Sequence, residues 1–155
     1  MADDTLSNDA LFTEPLQQVA ALCWRARPNL EVLLITSLST RRWIVPKGWP
    51  MEGLSLAQAA AREAAEEAGV IGQADETPLG HYHYMKEKKD GSALPCRVSV
   101  FALAVSGQRP HWAEEGAREL AWLPLEEAAQ RVSEPGLARI LREFRADAQP
   151  VHRRA

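Results

Sequence analysis

The segment GWPMEGLSLAQAAAREAAEEAGV, residues 48–70, predicts both the main helix of this chain and its chemistry. Within it, Glu63, Glu66 and Glu67 are spaced i, i+3 and i+4, so they share one face of a helix. The three carboxylates repel one another, and they lie in the last half of the helix, where the helix dipole is negative. A divalent cation would offset both effects, because Mg²⁺ and Mn²⁺ prefer oxygen ligands. The alternative is a charged face that is merely solvated.

The ends of this helix are marked in the sequence. Ser55 is the predicted N-cap, Gln58 completes a capping box, and Gly69 fits the position just beyond the C-terminus. Small residues on the opposite face would let the helix pack closely on a sheet: Ala57, Ala61, Ala64 and Ala68. The glutamates would then face a loop or a cleft.

Strand-like segments and two further helices surround the main helix. The predicted strands are residues 17–27, 30–38, 43–46, 77–88, 94–105 and 119–125, and the predicted helices are residues 125–132 and 136–145. Turn signals at Pro28-Asn29 and at Lys89–Ser92 predict two hairpins. The expected fold class is therefore α/β (α+β), with a partly antiparallel, mixed sheet and helices on its faces.

Composition limits the domain organisation and the function classes. At 155 residues the chain fits one domain, predicted over residues 16–146 between a mobile arm (1–15) and a disordered tail (147–155). The net charge of −3 argues against binding a nucleic-acid polymer through bulk charge. No apolar run approaches a membrane span, and the N-terminus does not read as a signal peptide. Cys23 and Cys96 are predicted to be buried free thiols, so we expect a cytoplasmic location.

The same segment, read as a whole, resembles the Nudix box, G-x5-E-x7-R-E-U-x-E-E-x-G-U, in which U is apolar. Eight positions fall in register: Gly48, Arg62, Glu63, Ala64, Glu66, Glu67, Gly69 and Val70. The resemblance implies an α/β/α sandwich and Mg²⁺- or Mn²⁺-dependent hydrolysis of a phosphoanhydride bond. In that family the Gly48 carbonyl and the three glutamates are the metal ligands.

Two details refine the resemblance. The lead-in RRWIVPKGWPMEG, residues 41–53, is most similar to the diphosphoinositol polyphosphate phosphohydrolase branch, whose substrates include diadenosine polyphosphates. Leu54 stands where the box has its first glutamate, and Glu52 could compensate for it. This departure keeps open a non-catalytic Nudix-like module that binds a ligand without turnover. A structural protein whose acids face solvent is a third hypothesis.

The resemblance also assigns roles to other residues. Arg62, four residues before Glu66, would hold the carboxylates in place. A loop acid, Glu114 or Glu115, could be the general base, and we favour Glu115. An anionic substrate would be bound by nearby cations, with Trp49 available for stacking: Lys47, Arg41, Arg42, Lys86 and Arg97. Simple solvated charges are the alternative for these cations and for the loop acids.

Two further interpretations complete the sequence-based expectations. His81 and His83 lie two apart in a predicted strand and share a face, but no third nitrogen or sulfur ligand has a persuasive spacing, so core or surface histidines are favoured over a metal pair. The expected partner is a small phosphoanhydride substrate, with no nucleic-acid polymer and no membrane. The many tryptophans and the N-terminal arm also permit a homodimer.

Overall fold

The computed structural model describes residues 14–149, which form eight strands, three α-helices and one 3₁₀ turn. The strands are β1 (Leu16–Arg25), β2 (Glu31–Thr36), β3 (Trp43–Ile44), β4 (Lys47–Gly48), β5 (Val70–Ala74), β6 (Gly80–Glu87), β7 (Ala93–Gln108) and β8 (Leu120–Leu123). The helices are α1 (Leu56–Ala68), α2 (Leu125–Arg131) and α3 (Pro135–Glu143), followed by the 3₁₀ turn Ala146–Ala148.

All eight strands belong to one mixed sheet. Its main path runs β3-β2-β1-β7-β5, while β4 pairs with β1, β6 with β7 and β8 with β2. The β1–β7 pair is parallel, and the other strand pairs are antiparallel. The predicted hairpins β1–β2 and β6–β7 are both present. The prediction of a mixed sheet is therefore confirmed.

Helices cover both faces of this sheet. On one face, buried alanines of α1 pack on β1, β2 and β7 through residues such as Ala21, Ile35 and Phe101. On the other face, α2 and α3 enclose a second core with Leu22, Leu34 and others from the same strands. Successive residues of a strand point to opposite faces, so each strand supplies both cores. The predicted α/β/α sandwich is confirmed.

Helix α1 begins and ends where its sequence predicts. The Ser55 hydroxyl accepts a hydrogen bond from the Gln58 backbone N–H, and the Gln58 side chain accepts one from the Ser55 backbone, which completes the capping box. Gly69 takes a left-handed conformation, with φ of 71°, that glycine adopts without steric cost. Its open α-carbon faces the Trp112 ring, which a side chain at this position would strike.

Some elements differ from the sequence-based expectations. Strand β7 is longer than predicted, and β4 and β5 were not predicted as strands. The described chain continues past the predicted domain end at residue 146, with Gln149 only 7% exposed. Residues 1–13 and 150–155, which include most of the predicted arm and tail, lie outside the described part. Cys23 and Cys96 are buried free thiols, as predicted. In residues 14–149 no helix has the length and apolar character needed to span a bilayer.

Candidate active site

The acids of α1 lie at the end of a cleft, and they are unequally placed. Glu67 is 6% exposed, whereas Glu63 and Glu66 are half-buried. Glu63 and Glu67 line a cavity of about 340 Å³, which Glu66 does not line. As expected, Glu63 and Glu67 face a cleft, although Glu67 is buried in its wall. Glu67 is buried because segments that precede and follow α1 in the sequence pack around it. The helical periodicity of the sequence does not show this packing.

Gly48 contacts Glu63, one member of the acid pair formed by Glu63 and Glu67. Strand β4 holds Gly48 opposite Val19 of β1, and its α-carbon faces the Glu63 carboxylate. A β-carbon at position 48 would overlap all three carboxyl-group atoms of Glu63. Glycine thus permits the close approach of backbone and carboxylate here, because a larger residue would displace the Glu63 carboxyl group; no unusual φ is involved.

Glu67 carries the most perturbed carboxyl group of the cleft. Burial raises the pKa of Glu67 to about 8, and the negative charge of Glu63 adds to the rise. The Lys47 backbone N–H, which donates to Glu67 Oε1 at 3.2 Å, and the Arg118 guanidinium, 3.6 Å from Oε2, oppose it. Burial also raises the pKa of Glu63, and the charge of Glu66 contributes in the same direction, while a hydrogen bond with Glu67 opposes it.

These carboxylates fit a hard divalent cation. Glu63 and Glu67 are neighbours that offer oxygen ligands, and burial raises the pKa of both, so a cation would favour their ionised forms. Because Gly48 has no side chain, its backbone lies directly against the Glu63 carboxylate. Within residues 14–149, no three acidic, histidine or cysteine side chains are already gathered as a ligand cluster. The fit therefore rests on Glu63, Glu67 and the Gly48 backbone, with Glu66 one helical position away.

A second cavity extends the cleft away from the acids. It measures about 350 Å³ and shares Ser37, Ser39, Lys47 and Lys86 with the first. Its other lining residues include Arg42, Thr40 and Tyr84. The cleft thus has two glutamates at one end, while the other end is lined by three cations and one acid, Glu87; two lysines line both parts.

Lys47 joins the two parts of the cleft. Its backbone N–H contacts Glu67, and its ammonium group lies 4.9 Å from the centroid of the Tyr84 ring. The Tyr84 hydroxyl donates to the Gln18 side chain at 2.6 Å, which fixes the ring. Burial lowers the pKa of Lys47, and the negative charge of Glu67 opposes that shift.

The structure brings only some of the predicted substrate-binding residues to the cleft. Arg42, Lys47, Trp49 and Lys86 line it, with Trp49 44% exposed. Arg41 instead donates to the Ala117 carbonyl at 2.9 Å and pairs with Glu119.

Arg97 also lies away from both cavities. It pairs with His83 across β6 and β7, and its strand neighbour Val98 belongs to the core under α2 and α3. The Arg97 side chain therefore lies on the sheet face opposite to that of Val98. The positive charges of Arg97 and His83 lower the pKa of His81, after the larger effect of burial.

The arginine that contacts the acids is Arg118, not Arg62. Within residues 14–149 the Arg62 side chain has no hydrogen-bond or ion-pair partner, so the expected pair with Glu66 is not formed. Arg62 lines a separate surface groove of about 340 Å³ together with Leu54 and Arg109. The position of the missing box glutamate thus lies outside the cleft. Sequence reasoning missed Arg118, although its i,i+4 spacing from Glu114 is visible in the sequence.

The loop that precedes β8 places Glu114, rather than Glu115, beside the acids. Its backbone is tied to the C-terminal end of α1, because the Glu114 N–H donates to the Glu66 carbonyl at 2.9 Å. Glu114 pairs with Arg118 at 2.8 Å, and its charge raises the pKa of both Glu63 and Glu67. Glu115 points elsewhere and contacts His111 at 3.0 Å.

A larger hollow exists on α2, but its chemistry is less suited to an active site. It measures about 640 Å³ and is lined by Glu126, Glu127, Gln130 and Arg131. Its charged groups are exposed and already paired, as in the 3.0 Å contact between Arg131 and Glu127. We therefore assign the candidate active site to the cleft.

Comparison with known proteins agrees with this geometry. The family model described as NUDIX domain matches residues 16–144. "Nudix hydrolase 12, mitochondrial" of Arabidopsis thaliana is 35% identical over 119 residues, which cover 75% of this chain and 59% of that protein. The chain spans about 60% of the length of the plant relatives it matches first. "Diphosphoinositol polyphosphate phosphohydrolase 3-beta" of Bos taurus is 29% identical over 141 residues, covering 88% of this chain and 82% of that protein.

Solved structures show the same fold at lower identity. A NUDIX hydrolase from Nitrosomonas europaea superimposes with a TM-score of 0.65 at 19% identity, covering 88% of this chain and 96% of that one. The C. elegans Ap4A hydrolase binary complex gives a TM-score of 0.62 at 24% identity, covering 86% and 97%.

Proposed function

Because this chain belongs to the Nudix family, we propose that it is a divalent-metal-dependent pyrophosphohydrolase, which cleaves a phosphoanhydride bond in a small polyphosphorylated substrate. The observation that carries the proposal is the Glu63–Glu67 acid pair at the end of a cleft, with the Gly48 backbone against the Glu63 carboxylate. When bound there, Mg²⁺ or Mn²⁺ would neutralise charge on phosphoryl oxygens and help to activate a water.

The chain's own residues would orient the substrate and the water. Lys47 and Lys86 line both halves of the cleft, so they can contact phosphate oxygens on either side of the scissile anhydride. Glu114 replaces Glu115 as our candidate for the group that aligns the water or accepts its proton, because its carboxylate lies beside the acid pair.

The cationic half of the cleft supports a strongly anionic substrate. Arg42, Lys47 and Lys86 surround a space of about 350 Å³, and the bovine relative is named for diphosphoinositol polyphosphate. We therefore rank diphosphoinositol polyphosphates first, ahead of diadenosine polyphosphates and other nucleoside diphosphate derivatives. A cytoplasmic location, homodimer formation and the absence of a nucleic-acid partner stay predictions.

A substrate panel tests the proposal. The protein would be incubated with each of the three substrate classes in Mg²⁺, in Mn²⁺ and in chelator, with detection of released phosphate or nucleotide. We expect metal-dependent release from at least one class, lost by orders of magnitude in Glu67→Gln. The matched control is Glu127→Gln, which alters an exposed acid of α2 outside the cleft. Failure of all three classes to react in either metal would refute the proposal.

The non-catalytic binding module is the second candidate, and Leu54 is its only support. The structure places Leu54 in the groove with Arg62, away from the acid pair, so the substitution leaves the cleft intact. Calorimetry can separate the two functions. Tight binding of a diphosphoinositol polyphosphate in excess Mg²⁺, with no hydrolysis over hours, would favour the module.

A further inference from the structure

Arg118 is a buried cation in the wall of the acidic half of the cleft. Its side chain is 8% exposed and makes three contacts with separate parts of the chain. The guanidinium lies 3.6 Å from Glu67 Oε2, 2.8 Å from Glu114 Oε1 and 3.0 Å from the Thr36 carbonyl oxygen. It therefore connects the end of β2, helix α1 and the loop before β8.

The backbone around Arg118 is fixed independently of the acids. The Thr36 hydroxyl accepts the Glu119 N–H at 2.9 Å, and the Thr36 N–H donates to the Glu119 carbonyl at 3.1 Å. Arg118 is thus held in place by the sheet, whether or not its carboxylate partners move.

The two carboxylate contacts of Arg118 differ in kind. The contact with Glu114 has hydrogen-bond length, whereas 3.6 Å to Glu67 is an electrostatic contact without a good hydrogen bond. A second cation can compete with Arg118 for Glu67 at such an electrostatic contact, while the Lys47 N–H still holds Glu67 Oε1. Glu67 is also the acid that our proposed function assigns to a divalent ion.

We propose that Arg118 is the resident counter-cation of the acid pair: without metal it stabilises the ionised form of Glu67, and it sets metal affinity by repelling the incoming divalent ion. This inference rests on the proposed metal site. Arg118 is accordingly a positioning residue, which acts on the metal through Glu67. Removal of the Arg118 charge should strengthen metal binding and should lower the stability of the metal-free protein.

Two arginine variants test this charge competition. Isothermal titration calorimetry would measure Mn²⁺ affinity in the wild type, Arg118→Gln and Arg142→Gln. Arg142 forms an exposed pair with Glu126 and is the matched control for losing one arginine–glutamate contact. We expect Arg118→Gln to bind Mn²⁺ about tenfold more tightly, a size typical of coupled sites, and Arg142→Gln to match the wild type. In chelator, Arg118→Gln should melt at a lower temperature and gain more from added Mn²⁺.

The alternative role, in which Arg118 only keeps the carboxylates in order, makes the opposite prediction. In that case Arg118→Gln would bind Mn²⁺ equally or more weakly, and that result would overturn the inference. Arg118→Lys keeps the positive charge and should stay within about threefold of the wild-type affinity, since the repulsion is electrostatic. Tenfold tighter binding by the lysine variant would equally contradict it.

A measurement on the unaltered protein covers the case in which Arg118→Gln does not fold. In ¹⁵N NMR of arginine side chains, the Arg118 Nε–H signal should move as Mg²⁺ is added, while the Arg142 signal should not. An Arg118 signal that stays fixed at saturating Mg²⁺ would exclude the competition. Failure of the wild type to bind any divalent ion would instead refute the proposed metal site itself, so the two failures are distinguishable.

Discussion

The buried carboxyl group of Glu67 should make the stability of the metal-free protein fall as pH rises. Its pKa is about 8 in the folded protein, against an ordinary value of 4.5, so the folded state holds a proton that the unfolded chain releases. The corresponding stabilisation is complete below pH 4.5 and is lost as pH rises through 8. One pKa unit corresponds to about 1.4 kcal/mol, so the whole pKa shift of Glu67 corresponds to about 5 kcal/mol of unfolding free energy. Roughly 4 kcal/mol of it should be lost between about pH 5 and about pH 8.5.

Urea unfolding in chelator at these two pH values measures the effect. The wild type should lose roughly 4 kcal/mol more than Glu67→Gln, because a glutamine at this position does not titrate. The control variant Glu127→Gln, which alters an exposed acid, should show the same pH dependence of unfolding free energy as the wild type. Saturating Mg²⁺ should stabilise the protein more at the higher pH, since metal ligands bind deprotonated. An identical pH dependence in the wild type and Glu67→Gln would refute the assignment of the buried charge.

Three further substitutions test separate parts of the site. Gly48→Ala should lower Mn²⁺ affinity in calorimetry and kcat/KM by tenfold or more, because the added methyl group overlaps the Glu63 carboxylate; wild-type values would contradict that contact. Lys86→Met should raise KM for a polyanionic substrate by several-fold with a smaller change in kcat, measured by phosphate release; an unchanged KM would remove Lys86 from the substrate site. Leu54→Glu should raise the free energy of urea unfolding by about 0.2–1 kcal/mol at low salt through a new exposed pair with Arg62, and the gain should vanish at high salt; a gain that persists there would point to another cause.

The sequence predicted helix α1 well because its signals are local. The Ser55–Gln58 capping box and the left-handed Gly69 are set by residues within a few positions of each other, and each occupies its predicted place. The strands with apolar runs were predicted for the same reason. In contrast, β5 is a short segment with alternating exposure that pairs with the far end of β7, so its strand character comes from tertiary pairing.

The chemistry of the acids was predictable from the sequence, but their individual environments were not. The helical spacing places Glu63 and Glu67 one turn apart whatever surrounds them. Burial of Glu67 requires β4 and the loop before β8 to close over the helix, and these segments are 20 or more residues away along the chain. The same loop decides that Glu114 turns inward while Glu115 turns towards His111.

The choice between Arg62 and Arg118 shows where sequence reasoning stops. A buried carboxylate without a compensating charge is costly, so ionisation of Glu67 inside the protein is favoured by a nearby cation. Arg62 has the i,i+4 spacing to pair with Glu66 on the same helix. It is five positions before Glu67, however, so its side chain points away from Glu67 around the helix axis, and it lies in another groove. Arg118 comes from a distant loop whose backbone is held by Thr36 of β2. The benefit of a cation beside Glu67 therefore follows from the acid itself, whereas the residue that supplies the cation is decided by how the sheet edge and the loop pack together.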